Sequence, residues 1–321
     1  MKIAYFIGLT PGKEKKMEKM SFDVFAKAVV EKIREYLPES FANASVELQT
    51  VVKNNDLKLT GLTIRSAESN ICPTIYLEQF FEKYQSGEDM NEVLETIANV
   101  RLRNEVRNTF DVGQITDFDR VREKIVPRLI SKEWNRELLE LRPHKIIADL
   151  AVTYHIMMGN DFSGIASLPI TNSLMEAWGV DVDTLHDQAI QNMPRLLPST
   201  FQSMSSVLTS MLGEDAEEML SVMPPADEAM FVLSNDQKVN GAAALLDKEI
   251  MKTVIERVGN EFFVLPSSVH ECLIVPATAD MEVSSLVSMV RDVNQSQVAP
   301  DERLSDSVYV YTEEGGLRIA C

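Results

Sequence analysis

The chain has 321 residues, 45% of them hydrophobic and 25% charged; this is ordinary globular usage, and it excludes a disordered, collagenous or membrane-embedded protein. A formal charge of −18 at pH 7 excludes generic binding to nucleic-acid phosphates or anionic lipid, which need a positive field. Residues 1–145 carry 23 basic and 23 acidic side chains, and the other 8 and 26 fall in 146–321, so all of the net charge sits in the second half.

Cys72, Cys272 and Cys321 are odd in number, widely spaced and without a CxxC pair, so neither a disulfide framework nor a zinc site is read from them, and a reducing cytoplasm is the expected compartment. The apolar run Ile3 to Leu9 lacks a signal-peptide cleavage site and runs into Pro11-Gly12 and a lysine-rich stretch. Residues 1–19, with five Lys and two Glu, are expected to be an appended, dispensable leader, with Met17 or Met20 as the working start.

From Ser21, a plausible N-cap, Phe22, Phe25, Ala26, Val29, Val30, Ile33 and Leu37 follow at helical spacing up to Pro38. Alternation in 46–51 and 57–60, joined through Asn54-Asn55-Asp56, predicts a hairpin reaching Ile64. Helices are expected from about Ile75 to Tyr84, ending at Gly87, and from Met90 to Val106, with Val93, Ile97, Val100 and Leu102 turned inward. Residues 101–145 interleave eleven basic and eight acidic residues, the pattern of a salt-bridged surface. Ile146 to Met158 reads as one strand whose even positions are apolar and whose odd face carries Asp149, Thr153 and His155.

A short helix through Trp178 to Gly179 is then predicted, and another from Asp183 to Met193 stopped by Pro194. Residues 200–230 are rich in Met, Ser and acids and resist assignment. The tail reads as strand (Met230 to Leu233), helix (Gly241 to Val258), strands (Phe262 to Leu265, Val269 to Val275), helix (Met281 to Val290) and two strands around Val308 to Tyr311 and Leu317 to Ala320. No strict βαβα rhythm runs through it, so the expected class is α+β, with a mixed or antiparallel sheet and packed helices. The expected division is a charge-balanced unit at 20–145 and an acidic unit at 146–321.

Several segments together carry a resemblance: Pro73-Thr74-Ile75-Tyr76-Leu77, Pro143-His144 before Ile146-Ile147-Ala148-Asp149-Leu150-Ala151, and Ile170-Thr171-Asn172 with Trp178-Gly179-Val180. Val232-Leu233-Ser234-Asn235, Gly241-Ala242-Ala243-Ala244-Leu245-Leu246 and Leu265-Pro266-Ser267-Ser268-Val269-His270-Glu271 complete the set. Over roughly 20–310 the chain resembles an uncharacterised domain-of-unknown-function family of gut Gram-positive bacteria, itself similar to the YtpQ-like proteins. The resemblance implies a bacterial cytosolic protein and supplies no activity, cofactor or catalytic residue.

Among candidate chemistry, His270 follows a Pro-Ser-Ser turn at the mouth of a strand, where it can act as a general base, with Ser267, Ser268 or Glu271 as partner. Consecutive strand residues point to opposite faces, so His270 and Glu271 serve one site only across a bulge. Asp149 and His155 are too far apart along a strand to touch, and Thr153 is the neighbour His155 can reach. His144, His155, His186 and His270 show no metal-ligand spacing. Gly241-Ala242-Ala243-Ala244 lacks a phosphate-loop pattern and reads as close packing, so no cofactor or metal is expected. The leading expectation is a non-enzymatic cytosolic binding or interaction protein with a protein partner on the acidic, Met-rich second half, and no direct contact with nucleic acid or membrane. A hydrolase using His270 is the alternative, and an acidic nucleic-acid mimic a third reading.

Overall fold

The computed structural model describes residues 19–66, 72–104, 112–161, 164–212, 230–278 and 281–320. The expectations for the leader before Lys19, and those for the methionines and acids of 213–229, lie outside the described residues. The chain divides into two units: the described residues up to Val51 with Leu59–Phe110, and Val52–Lys58 with Asp111–Cys321.

In the first unit, helix α1 (Phe22–Lys32) runs on as a 3-10 turn, Ile33–Tyr36, before Pro38. Ser21 is extended as an N-cap requires but makes no side-chain capping bond; its carbonyl accepts the Phe25 N–H at 2.9 Å. The predicted hairpin forms as β1 (Ser45–Val52) and β2 (Lys58–Arg65). Thr74–Tyr76, expected as the start of a helix, is instead strand β3, antiparallel to β2 with Leu62 opposite Ile75. Thr, Ile and Tyr after a proline favour extended backbone, and α2 (Glu78–Ser86) begins only after Leu77, ending at left-handed Gly87. Asp89 caps α3 (Met90–Arg103) through the Asn91 N–H at 2.8 Å. Phe25, Val29 and Ile33 pack with Leu62, Ile64, Phe80, Val93, Leu94 and Ile97 as one core; Val100 and Leu102 lie at its edge.

The second unit holds two antiparallel sheets. One is ordered β4-β6-β5, with β7 also on β6, from β4 (Ile125–Ser131), β5 (His144–Ile147), β6 (Leu150–Asp161) and β7 (Gly164–Pro169). The other is ordered β13-β12-β10-β11-β9-β8, from β8 (Ser199–Ser203), β9 (Phe231–Asn235), β10 (Glu261–Ser268), β11 (Glu271–Pro276), β12 (Tyr309–Thr312) and β13 (Gly316–Ile319). Their facing apolar rows close on one core: Leu129, Leu150, Val152, Tyr154 and Ile156 with Leu233, Phe262, Val264 and Ile274. Phe263 and Leu265 point the other way, into a second cluster with Leu286 and Val290, which is why Phe262 to Leu265 is apolar without alternation. The expected α+β class with antiparallel sheets is what the chain forms.

Several boundaries differ from expectation, each for a local reason. β4 pairs with β6 along its whole length, from Ile125 opposite Ile156 to Ser131 opposite Leu150. The stretch after Asp111 therefore packs with the second unit, because balanced surface charge does not choose strand partners. The single strand expected at 146–158 folds back at Ala148-Asp149, with Ile147 opposite Leu150. Ile146 is consequently 43% exposed, and Asp149 sits in a turn instead of on a face with His155. The helix Val182–Leu196 carries Pro194 inside it; so near the helix end the ring removes one hydrogen bond without stopping the chain. The helix expected at 241–258 is a 3-10 turn, Gly241–Leu246, and a helix, Lys248–Val258, divided by Asp247, whose carboxylate caps the Glu249 and Ile250 N–H groups. Val269-His270 is a turn, so β11 starts at Glu271. β8 and the helix Met204–Leu212 had no periodic signal among the serines and methionines.

Candidate functional site

The β10–β11 turn brings the sequence candidates together. His270 donates its backbone N–H to Ser268 Oγ at 3.0 Å, and its carbonyl accepts Ser234 Oγ at 2.8 Å. The ring Nδ1 accepts the Asn240 N–H at 3.1 Å, and Nε2 stands 3.5 Å from Glu302 Oε1. An imidazole that accepts at Nδ1 carries its proton on Nε2 when neutral, so the ring lone pair is already used by the backbone. Ser268 meets the main chain of His270 and not its ring, while Ser267 Oγ donates to Glu271 Oε1 at 3.4 Å. Gly241 lies against the same turn: a Cβ there would collide with Ser234 Oγ and the His270 carbonyl. The close packing expected of Gly241 is therefore an approach to this turn, and the turn as built holds three chain segments together.

Asp149 gathers hydroxyls. Its Oδ1 accepts Tyr309 OH at 2.6 Å, and its Oδ2 accepts Ser307 Oγ at 2.7 Å and Ser305 Oγ at 3.3 Å. Burial first, and then the Asp149 charge, push the Tyr309 phenol up, so it stays a donor. Asp149, Ser305 and Ser307 line a cleft of about 400 Å³ with Trp134, Arg291 and Asp306. Hydroxyls that all point at one carboxylate are not activated as nucleophiles; they satisfy a charge.

A cleft of about 580 Å³ opens beside the helix Val182–Leu196, walled by Leu129, Ile190, Leu245, Leu246 and Leu317, with His186, Asp187, Gln191, Lys248 and Tyr311 also lining it. His186 Nδ1 lies 3.1 Å from the hydroxyl of Tyr154, a fully buried residue of β6. Burial, then the charges of Asp183 and Asp187, raise the Tyr154 phenol, while burial and then Lys145 lower His186. Both groups are thus neutral, and where the phenol donates to Nδ1 the ring carries its proton on Nε2. In the sequence His186 reads only as a metal-ligand candidate without a partner; its helical spacing with Leu185, Ala189 and Ile190 is the signal that it sits at the core edge. Among the described residues no group of three or more His, Cys, Asp or Glu could hold a metal ion, and no helix is long and apolar enough to cross a membrane.

Fold and sites together define an antiparallel α+β protein in two units, with its clefts in the second. The chain belongs to DUF5688, a family of unknown function, which it matches over residues 22–313. No curated protein and no solved structure matches it.

Proposed function

We propose that the protein is a non-enzymatic binding protein of the bacterial cytosol, related to the YtpQ-like proteins, whose second unit takes a small amphipathic ligand in the cleft beside His186. The carrying observation is the composition of that cleft: aliphatic walls and a few polar side chains, among them His186, Gln191, Lys248 and Tyr311, with no Ser, Thr or Cys in its described lining. Such a site orients an apolar body by a few polar groups. A cytosolic compartment is supported by Cys272, a free and buried thiol that burial pushes up and so keeps inert. The hydrolase alternative fits less well, since His270 has no free ring lone pair.

Anilinonaphthalene sulfonate, an aromatic body with an anionic head, is a suitable probe. One saturable site is expected, lost in Ile190→Trp, which fills the cleft, and weakened about tenfold in Lys248→Met by loss of a charged hydrogen bond. Near-UV circular dichroism confirms intact packing, because loosened proteins also bind this dye. Equal binding by wild type and both variants overturns the assignment.

A further inference from the structure

The far face of the β4-β6-β5 sheet, turned away from the shared core, carries an unusual set of basic and polar groups. Residues opposite one another in an antiparallel ladder share a face. Thr153 is opposite Arg128 on β4 and His144 on β5, and His155 is opposite Val126 and Pro169. Thr153 is 1% exposed and His155 5%, yet among the described residues Thr153 Oγ1 and His155 Nδ1 have no hydrogen-bond partner. Orphaned buried polar atoms are rare and cost about 1–3 kcal/mol each.

Arg128, opposite Thr153 on β4, and Arg142, two residues before His144 on β5, are also under-used. Among the described residues the Arg128 guanidinium makes one hydrogen bond, to Ser167 Oγ at 2.6 Å. Arg142 is anchored near this face through its carbonyl, which accepts the His144 Nδ1–H at 2.9 Å. Among the described residues neither guanidinium has a carboxylate within 4 Å, although each carries five N–H donors. Burial, then Arg142, lowers Arg128 to about 10; burial alone lowers Arg142. Burial, then Arg128 and Arg142, holds His155 well below its ordinary value. Partly buried like charges with no counter-charge among the described residues are unfavourable for the fold alone, and a bound anion would give both guanidinium groups an attractive partner.

We propose that this face is a binding site for a small oxyanion of the phosphate type, held by Arg128 and Arg142 with Thr153 and His155 as the adjoining unmet hydrogen-bonding groups. Two planar forks of donors with a hydroxyl beside them exceed what the two oxygens of a carboxylate accept, and they suit the tetrahedral, doubly charged phosphate. The site is independent of the cleft beside His186.

Inorganic phosphate is the probe, titrated against chloride at constant ionic strength and followed by thermal unfolding and calorimetry. Wild type is expected to gain about 3 °C at ten times Kd. Arg142→Gln, whose guanidinium makes no hydrogen bond that folding needs, should lose affinity about tenfold or more. Arg128→Gln should do the same if it folds. Arg136→Gln removes an equal charge from an exposed arginine paired with Glu133 at 3.3 Å and should bind as wild type. No shift in wild type beyond chloride, or unchanged phosphate affinity in Arg142→Gln, overturns the proposal; dye binding in the His186 cleft should be the same in every one of these proteins.

Discussion

At the scale of single residues, two small side chains sit where sequence pattern assigned the wrong backbone. Ala148 opens the β5–β6 turn at φ +53, a left-handed conformation that costs a non-glycine residue about 1–2 kcal/mol. Glycine there recovers that strain and forfeits about 0.5–1 kcal/mol of chain entropy. Ala148→Gly is therefore expected to raise the urea midpoint, by no more than about 1 kcal/mol in stability. Gly241→Ala should do the reverse and lose about 1–3 kcal/mol, because its Cβ meets the His270 carbonyl, a backbone atom that cannot swing aside. A midpoint that falls for Ala148→Gly, or stays put for Gly241→Ala, contradicts the respective account. The Ser268, His270 and Glu271 grouping was legible because it is local in sequence. Which way the His270 lone pair points was not, since it depends on Asn240, thirty residues earlier.

At the scale of elements, the Asn54-Asn55-Asp56 link was legible as a turn, and its purpose was not. Asn55 stands at φ +62. Its Nδ2 donates to the carbonyls of Pro300 at 2.7 Å and Arg303 at 2.8 Å, and its N–H donates to Asn135 Oδ1 at 2.7 Å. Asp56 accepts the N–H groups of Glu137 and Leu138 at the start of the helix Arg136–Glu140. The tip is thus a clasp within the second unit, made of polar side chains whose targets lie far along the chain, where no periodicity reports them. Asn55→Gly keeps the conformation and loses the side-chain bonds, an expected cost of about 2–3 kcal/mol. Asn55→Ala loses both and should cost about 1–2 kcal/mol more. Denaturant unfolding of the pair checks this, and equal losses would show that backbone strain plays no part. Elements bounded by local chemistry, such as the helices ended by the left-handed glycines after α2 and after Asn172–Trp178, stop where expected. Those decided by pairing, Thr74–Tyr76 against β2 and the fold-back at Ala148, were not expected.

At the scale of the whole molecule, acidification has two opposed effects that salt separates. The net charge of −18 shrinks as the pH approaches the sequence pI of about 4.7, which relieves self-repulsion and favours the folded state. His155 and His186 act the other way. Both are lowered in the folded protein, chiefly by burial, so below about pH 6.5 the unfolded chain takes up protons that the folded one refuses. Stability contributed by each neutral imidazole is complete above its unfolded pKa and is lost as the pH falls from there toward its folded pKa. The limiting slope is about 1.4 kcal/mol per pH unit for each proton. Surface repulsion is screened to about 3 Å at 1 M salt, while burial of an imidazole is not screened. Loss of stability between pH 6.5 and 5.5 should therefore be steeper in 1 M than in 0.05 M sodium chloride, and His155→Gln should flatten the high-salt profile by close to one proton. Unfolding midpoints at the four combinations of pH and salt, for wild type and variant, test it; an unchanged high-salt slope in the variant would remove His155 as the source.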